Sequence, residues 1–283
     1  MRPWHGKLSN LLFFTLCCTS LAFAQTSTSN QTQKAPPPIQ DNSFLLEEAY
    51  NQEDGVVQHI SFFTRTWPGR NWVYAFTQEW PVFSQKHQFS YTVPILKIEG
   101  GTGLSDIALN YRYQLIGNGD TKVAMAPRFS ILMPTGNDKK GLSTRTVGVQ
   151  FNLPVSVAVS DKLVTHWNAG TTYLPSARNA LGEKADLKGY NFGVSAIALV
   201  SPRFNLMLET AWNSVQLITG PGRKEYEDSF LISPGFRWAH NFSSGLQIVP
   251  GIAVPIGVGP SKGNKGIILY LSFEHPFGRS TTR

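Results

Sequence analysis

Side chains able to hold or transfer charge are spread along this sequence rather than gathered at one motif. His59, Arg65, Glu79, Asp106, Arg112, Arg128, His166, Glu209, Arg237 and Glu274 each fall in a run that alternates apolar with small or polar residues. In a strand every second side chain shares a face, so these groups are expected to point into one common interior as lumen-lining residues. Charges of mixed sign there have two uses. They can select a solute at a constriction, as charged rings do in pores. They can also pair with one another and brace a closed wall. Because both signs are interleaved, bracing is the weightier expectation for Arg112, Arg128, Glu209, Arg237 and Glu274.

Other chemistry finds little footing. The two cysteines, Cys17 and Cys18, both lie in the N-terminal apolar run, so a mature chain would carry no thiol, disulfide or thiolate-bound metal. His59 and His166 are the histidines expected mid-strand and inward. No H-x-x-x-H spacing supplies a partner, so neither a metal nor another cofactor is expected, and both read as hydrogen-bonded lumen residues. His87 and His275 fall at strand ends and are expected to face outward. An enzyme of the barrel wall would need an outward serine beside an outward histidine, and the alternation pairs none. No catalytic residue and no enzyme activity are expected.

The elements that position these groups are clearest from Thr121 to Leu174. Three alternating runs there are joined first by the long polar segment 134–145 and then by Ser160-Asp161-Lys162. Strand, long loop, strand, tight turn is the repeat of an outer-membrane β-barrel. The same reading places strands near 56–65, 71–82, 88–95, 104–115, 122–133, 146–159, 163–174, 187–200, 204–217, 226–239, 245–256 and 265–277. The fold class expected is all-β, a single antiparallel up-and-down transmembrane barrel of about 12 strands. Its long loops would include 134–145 and 175–186. A soluble β-sandwich is the rival, but most of these runs are longer than the typical five or six residues of a soluble strand. Aromatics also gather near strand ends (Trp67, Trp72, Trp80, Tyr173, Tyr226, Trp238, Phe277) like interfacial girdles. Pro94, Pro127, Pro154, Pro234 and Pro250 fall inside runs and imply bulges or kinks.

The N-terminus has Arg2 and Lys7, a short apolar run, and Ala22-Phe23-Ala24. That is a secretory signal peptide over 1–24. Residues 25–41 read as a flexible periplasmic leader and 42–55 as a lead-in to the first strand or a partial plug. The barrel occupies 56–277, and 278–283 form a C-terminal tail. The net charge of +7 is dispersed, with only 15% charged residues, so no nucleic-acid surface is expected. The expected partners are outer-membrane lipid, the machinery that assembles such barrels, and a small-molecule solute.

Glu47-Glu48-Ala49-Tyr50-Asn51-Gln52-Glu53 followed by Gly55-Val56-Val57-Gln58-His59, with Gly103-Leu104-Ser105-Asp106-Ile107 and Pro134-Thr135-Gly136, resembles a known family. It is the family of outer-membrane transporters labelled for the meta-pathway of phenol degradation. The resemblance implies an outer-membrane barrel passing small compounds, hydrophobic or aromatic ones among them, by passive diffusion. Two alternatives stand beside it. One is a structural or recognition barrel with a closed lumen that acts through its extracellular loops. The other is a lipid-modifying enzyme embedded in the membrane. Phe277 sits where such barrels end on an aromatic assembly signal, but six residues follow it.

Overall fold

A computed structural model of the chain describes residues 39–277. The expected signal peptide, the leader up to residue 38 and the tail 278–283 lie outside the described residues. Strand segments come first as β1 (Val56–Trp67), β2 (Trp72–Val82), β3 (Ser84–Ile98), β4 (Gly101–Leu104) and β5 (Ile107–Tyr113). Next are β6 (Val123–Met125), β7 (Arg128–Met133), β8 (Gly148–Ser160), β9 (Leu163–Arg178) and β10 (Lys184–Ser201). The rest are β11 (Phe204–Gly220), β12 (Arg223–Trp238), β13 (His240–Asn241), β14 (Gln247–Ala253), β15 (Ile256–Gly257) and β16 (Lys265–Pro276). Each span pairs antiparallel with its sequence neighbours, and β1 pairs with β16 from Val56↔Pro276 to Trp67↔Lys265. The result is a closed antiparallel barrel of 12 spans.

Four spans are made of two segments; β12 and β13 are parted only at Ala239, and proline explains the other three breaks. Ser105 lies across from Pro94 between β4 and β5, and its N–H still donates to Pro94 O at 2.9 Å. Ala126-Pro127 lies across from Pro154, and Val254-Pro255 across from Pro234. A proline has no N–H for the ladder, so pairing lapses opposite Pro94 and where Pro127 and Pro255 come beside Pro154 and Pro234 on the neighbouring strands. The wall nevertheless continues, because Ala126 N donates to Pro154 O and Val254 N to Pro234 O.

The two faces have opposite chemistry. Inward positions include Ser130, Ser156, Ser195, Glu209, Ser233 and Ser272, all fully buried. Outward positions include Phe129, Phe151, Trp167, Phe192 and Leu208, all exposed. A water-soluble domain would invert that arrangement, whereas a wall in contact with lipid requires it. Phe129→Arg is therefore expected to lower stability by about 2–4 kcal/mol. Asn213→Arg, which puts the same charge on the inner face of β11 beside open lumen space, should cost much less. Urea titration of the two variants in lipid vesicles measures the difference, and equal losses would mean that the faces are misassigned.

Two sequence expectations about loops change. The 175–186 loop is largely strand: β9 runs to Arg178 and β10 begins at Lys184. The connector from Ile218 to Glu225 closes to the turn Pro221-Gly222 between β11 and β12. Polar residues read as loop, yet a hairpin that rises beyond the bilayer is wetted on both faces and needs no apolar alternation. The exposed run Arg223–Asp228 of β12 is such a stretch.

Candidate functional site

The segment 39–55 lies inside the barrel. Ile39, Asp41, Phe44, Glu48, Ala49 and Asn51 are all buried. Residues 39–41, read from sequence as the end of a flexible leader, are thus part of the packed lumen. The segment has no helix or strand of its own, so its peptide groups need partners from the wall. It finds them in order around the inner circumference. Asp41 receives Gln58 Nε2 from β1 at 2.8 Å, Tyr270 OH from β16 at 2.6 Å, and Ser272 Oγ. Glu209 of β11 accepts the N–H groups of Phe44 (3.2 Å) and Leu45 (2.9 Å). Asn168 of β9 both accepts from Glu47 N (3.0 Å) and donates to Glu47 O (2.8 Å). Ala49 N donates to Ser156 Oγ of β8 at 2.8 Å, and Gln52 N to Gln88 Oε1 of β3 at 2.8 Å. From there the chain enters β1, having swept past most of the wall.

The arginines grip the same segment. Arg237 of β12, 1% exposed, donates from Nη1 to the carbonyls of Asp41 and Asn42. Arg112 of β5 donates to Asn51 Oδ1 (2.9 Å) and to the carbonyls of Glu48 and Tyr50, with Glu48 and Glu79 carboxylates 3.8 and 3.9 Å away. Arg128 of β7 pairs with Glu47 at 2.7 Å. Glu274 accepts from Gln58 at 2.8 Å and Gln52 at 3.3 Å. His166 has Nδ1 2.7 Å from Ser156 Oγ, and its ring lies edge-on to Tyr50. Glu79, Arg112, Arg128, His166, Glu209, Arg237 and Glu274 thus all point inward. Most of their partners belong to the inserted segment rather than to each other, which replaces the expected bracing of wall by wall.

Three sequence expectations are corrected. His59 and Arg65 point outward, not into the lumen. Across β1 the inward set is Gln58, Ile60 and Phe62, because Gln58 is paired with inward Glu79 and Glu274. Ile60 and Phe62 pack with Tyr270 and Ile268 around Phe44. Arg65 instead lies over the Trp67 ring at 5.4 Å. Asp106 is spent on the long loop: its carboxylate accepts Gly136 N (3.1 Å) and Thr144 N (3.2 Å). That loop folds back on the wall, with Leu142 buried and Ser105 Oγ donating to Leu142 O. At its tip the Arg145 guanidinium, 3.1 Å from Asp138, holds that carboxyl below its ordinary range.

Glycines in the wall receive the segment's apolar side chains. A Cβ at Gly251 would stand 2.5 Å from Phe44 Cζ, and one at Gly193 would strike Leu46. Gln88, Gln114 and Ser156 were not singled out from sequence, although inward parity on long strands marks all three.

A G-x-S-x-G motif, expected to be absent from this sequence, is present. Gly259-Pro260-Ser261-Lys262-Gly263 has the G-x-S-x-G spacing of a nucleophile elbow. It forms a single 3-10 turn after β15, not a strand-to-helix elbow, and Ser261 is buried with Oγ accepting Phe230 N at 3.0 Å. That serine ties the turn to β12.

Cavities flank the segment. At the end bearing the short turns, about 600 Å³ is lined by Ile39, Tyr50, Val164, His166, Ile197, Leu199 and Arg237. Toward the long loops lie two more, of about 310 and 230 Å³, both bounded by Leu45, Leu46, Glu47 and Arg128.

No family model and no curated protein matches the sequence. Solved structures do. The chain is similar to the COG4313 outer membrane channel from Pseudomonas putida F1, with TM-score 0.54 and 10% identity over 80% of this chain and 97% of that one. It is also similar to the NanC porin, with TM-score 0.52 and 9% identity over 76% and 98%. At such identities the likeness concerns the fold, which is that of the porin-like outer-membrane β-barrels.

Proposed function

We propose that this chain is an outer-membrane channel that passes small molecules by diffusion, with segment 39–55 forming its constriction. The observation that carries this reading is the series of cavities on both sides of that segment. Each is near the size of a small-molecule site, on the order of 300–1,000 Å³. The periplasmic cavity mixes apolar Val164, Ile197 and Leu199 with Tyr50, His166 and Arg237, a lining suited to solutes with an apolar body and a polar edge. That lining agrees with the resemblance to transporters labelled for the phenol meta-pathway, which we carry as part of the proposal. The barrel's apolar exterior supports residence in the outer membrane.

Purified mature chain in a planar bilayer tests the proposal. Discrete conductance steps, blocked by small aromatic solutes added to either side, are expected. A bilayer that stays silent, together with vesicles that release no small aromatic solute, would instead favour a closed barrel working through its external loops.

A further inference from the structure

We propose that His59 and His275 form a transition-metal site that clips the closing seam of the barrel. The ion would be one that imidazole prefers, Cu²⁺, Zn²⁺ or Ni²⁺. The two residues sit on the outer face of β1 and β16, the first and last strands, near their periplasmic ends. In register, His59 faces Phe273 and His275 faces Val57, so the histidines are diagonal neighbours across the seam. Their Nε2 atoms are 3.3 Å apart. Two nitrogens that each bind one tetrahedral ion at about 2.0–2.1 Å stand roughly 3.3 Å from each other.

The surroundings favour metal-binding tautomers. His275 Nδ1 lies 3.2 Å from Pro276 O. Donation there leaves the lone pair on Nε2, the arrangement that backbone carbonyls impose on metal-binding histidines. The His59 ring is stacked on Phe76 with 22° between planes, which holds its orientation. Among the described residues no group of three or more His, Cys, Asp or Glu could hold a metal. The site is therefore an open one of two imidazoles, with water completing the coordination. Nitrogen donors discriminate against magnesium and calcium, and the usual affinity order places Cu²⁺ first. An ion bound there ties the two ends of the wall together and stabilises the folded barrel by mass action.

The test is calorimetric titration of the folded mature barrel, freed of any affinity tag, with CuCl₂ and then ZnCl₂. Thermal melting with and without the ion accompanies it. His59→Gln and His275→Gln are compared with His87→Gln, an outward histidine bonded to Tyr111 instead. One ion per barrel is expected, bound at least about tenfold more weakly by either seam variant and unchanged in the His87 variant. The melting temperature should rise with the ion in wild type and His87→Gln but in neither seam variant. Should His275→Gln fail to fold, His59→Gln decides alone. No uptake by wild type, or uptake that His59→Gln retains within about twofold, would show that the pair is only hydrogen-bonded.

Discussion

Deleting residues 42–54 is expected to raise single-channel conductance on the order of tenfold, because it empties the narrowest level of a lumen whose width is set by strand number. The segment contributes Phe44, Leu45, Leu46, Glu48, Ala49 and Asn51 to a cross-section that holds no other chain. Its removal merges the cavity bounded by Tyr50 and His166 with those bounded by Leu45 and Glu47. The barrel should survive, since its ladder closes through β1 and β16 without the segment. Arg112, Arg237 and Glu209 would then meet water instead of the segment's peptide groups, which avoids the penalty of an unpaired charge in a dry site. Planar-bilayer recording of intact and deleted chains measures the change. Equal conductance would place the path elsewhere than along this segment.

Arg237→Ala should be the most damaging single substitution of the inner face. Nη1 serves two carbonyls at once, Asp41 O and Asn42 O, and Nη2 reaches Ile39 O at 3.4 Å. Bonds from a charged donor contribute about 1.5–3 kcal/mol each, so the loss should be about 3–5 kcal/mol, less whatever water entering the space restores. The effect should be local. Proteolysis of the folded barrel is expected to cut within 39–55 far faster in the variant, while the β1–β16 wall stays protected. Gly251→Ala is its companion: the added Cβ crowds Phe44 without removing a charge, and the same cleavage should appear. Whole-barrel unfolding in both variants, with no stage of selective cleavage, would show that the segment and wall fold as one unit.

Much of this was legible in the sequence because a membrane barrel is governed by a local rule. Alternation along each strand decides what meets lipid, and that rule places the strands to within a few residues and turns Arg112, Arg128, His166, Glu209 and Arg237 inward. The rule fails on β1. There both faces carry apolar residues, and assuming a wet lumen sends His59 and Arg65 inside. The tertiary structure decides otherwise. Phe44 of the inserted segment needs apolar neighbours, and Ile60 and Phe62 supply them inside the lumen. The polar set is then left outside, where His59 meets His275.

The insertion itself has no signature of periodicity, because residues 39–55 form no helix or strand and take their partners from strands far away in sequence. Sequence alone determined the wall, since each strand answers to lipid and water within its own length. Only the tertiary structure decided what fills the lumen and what the inward charges hold, since those partners meet only once the barrel has closed around the segment.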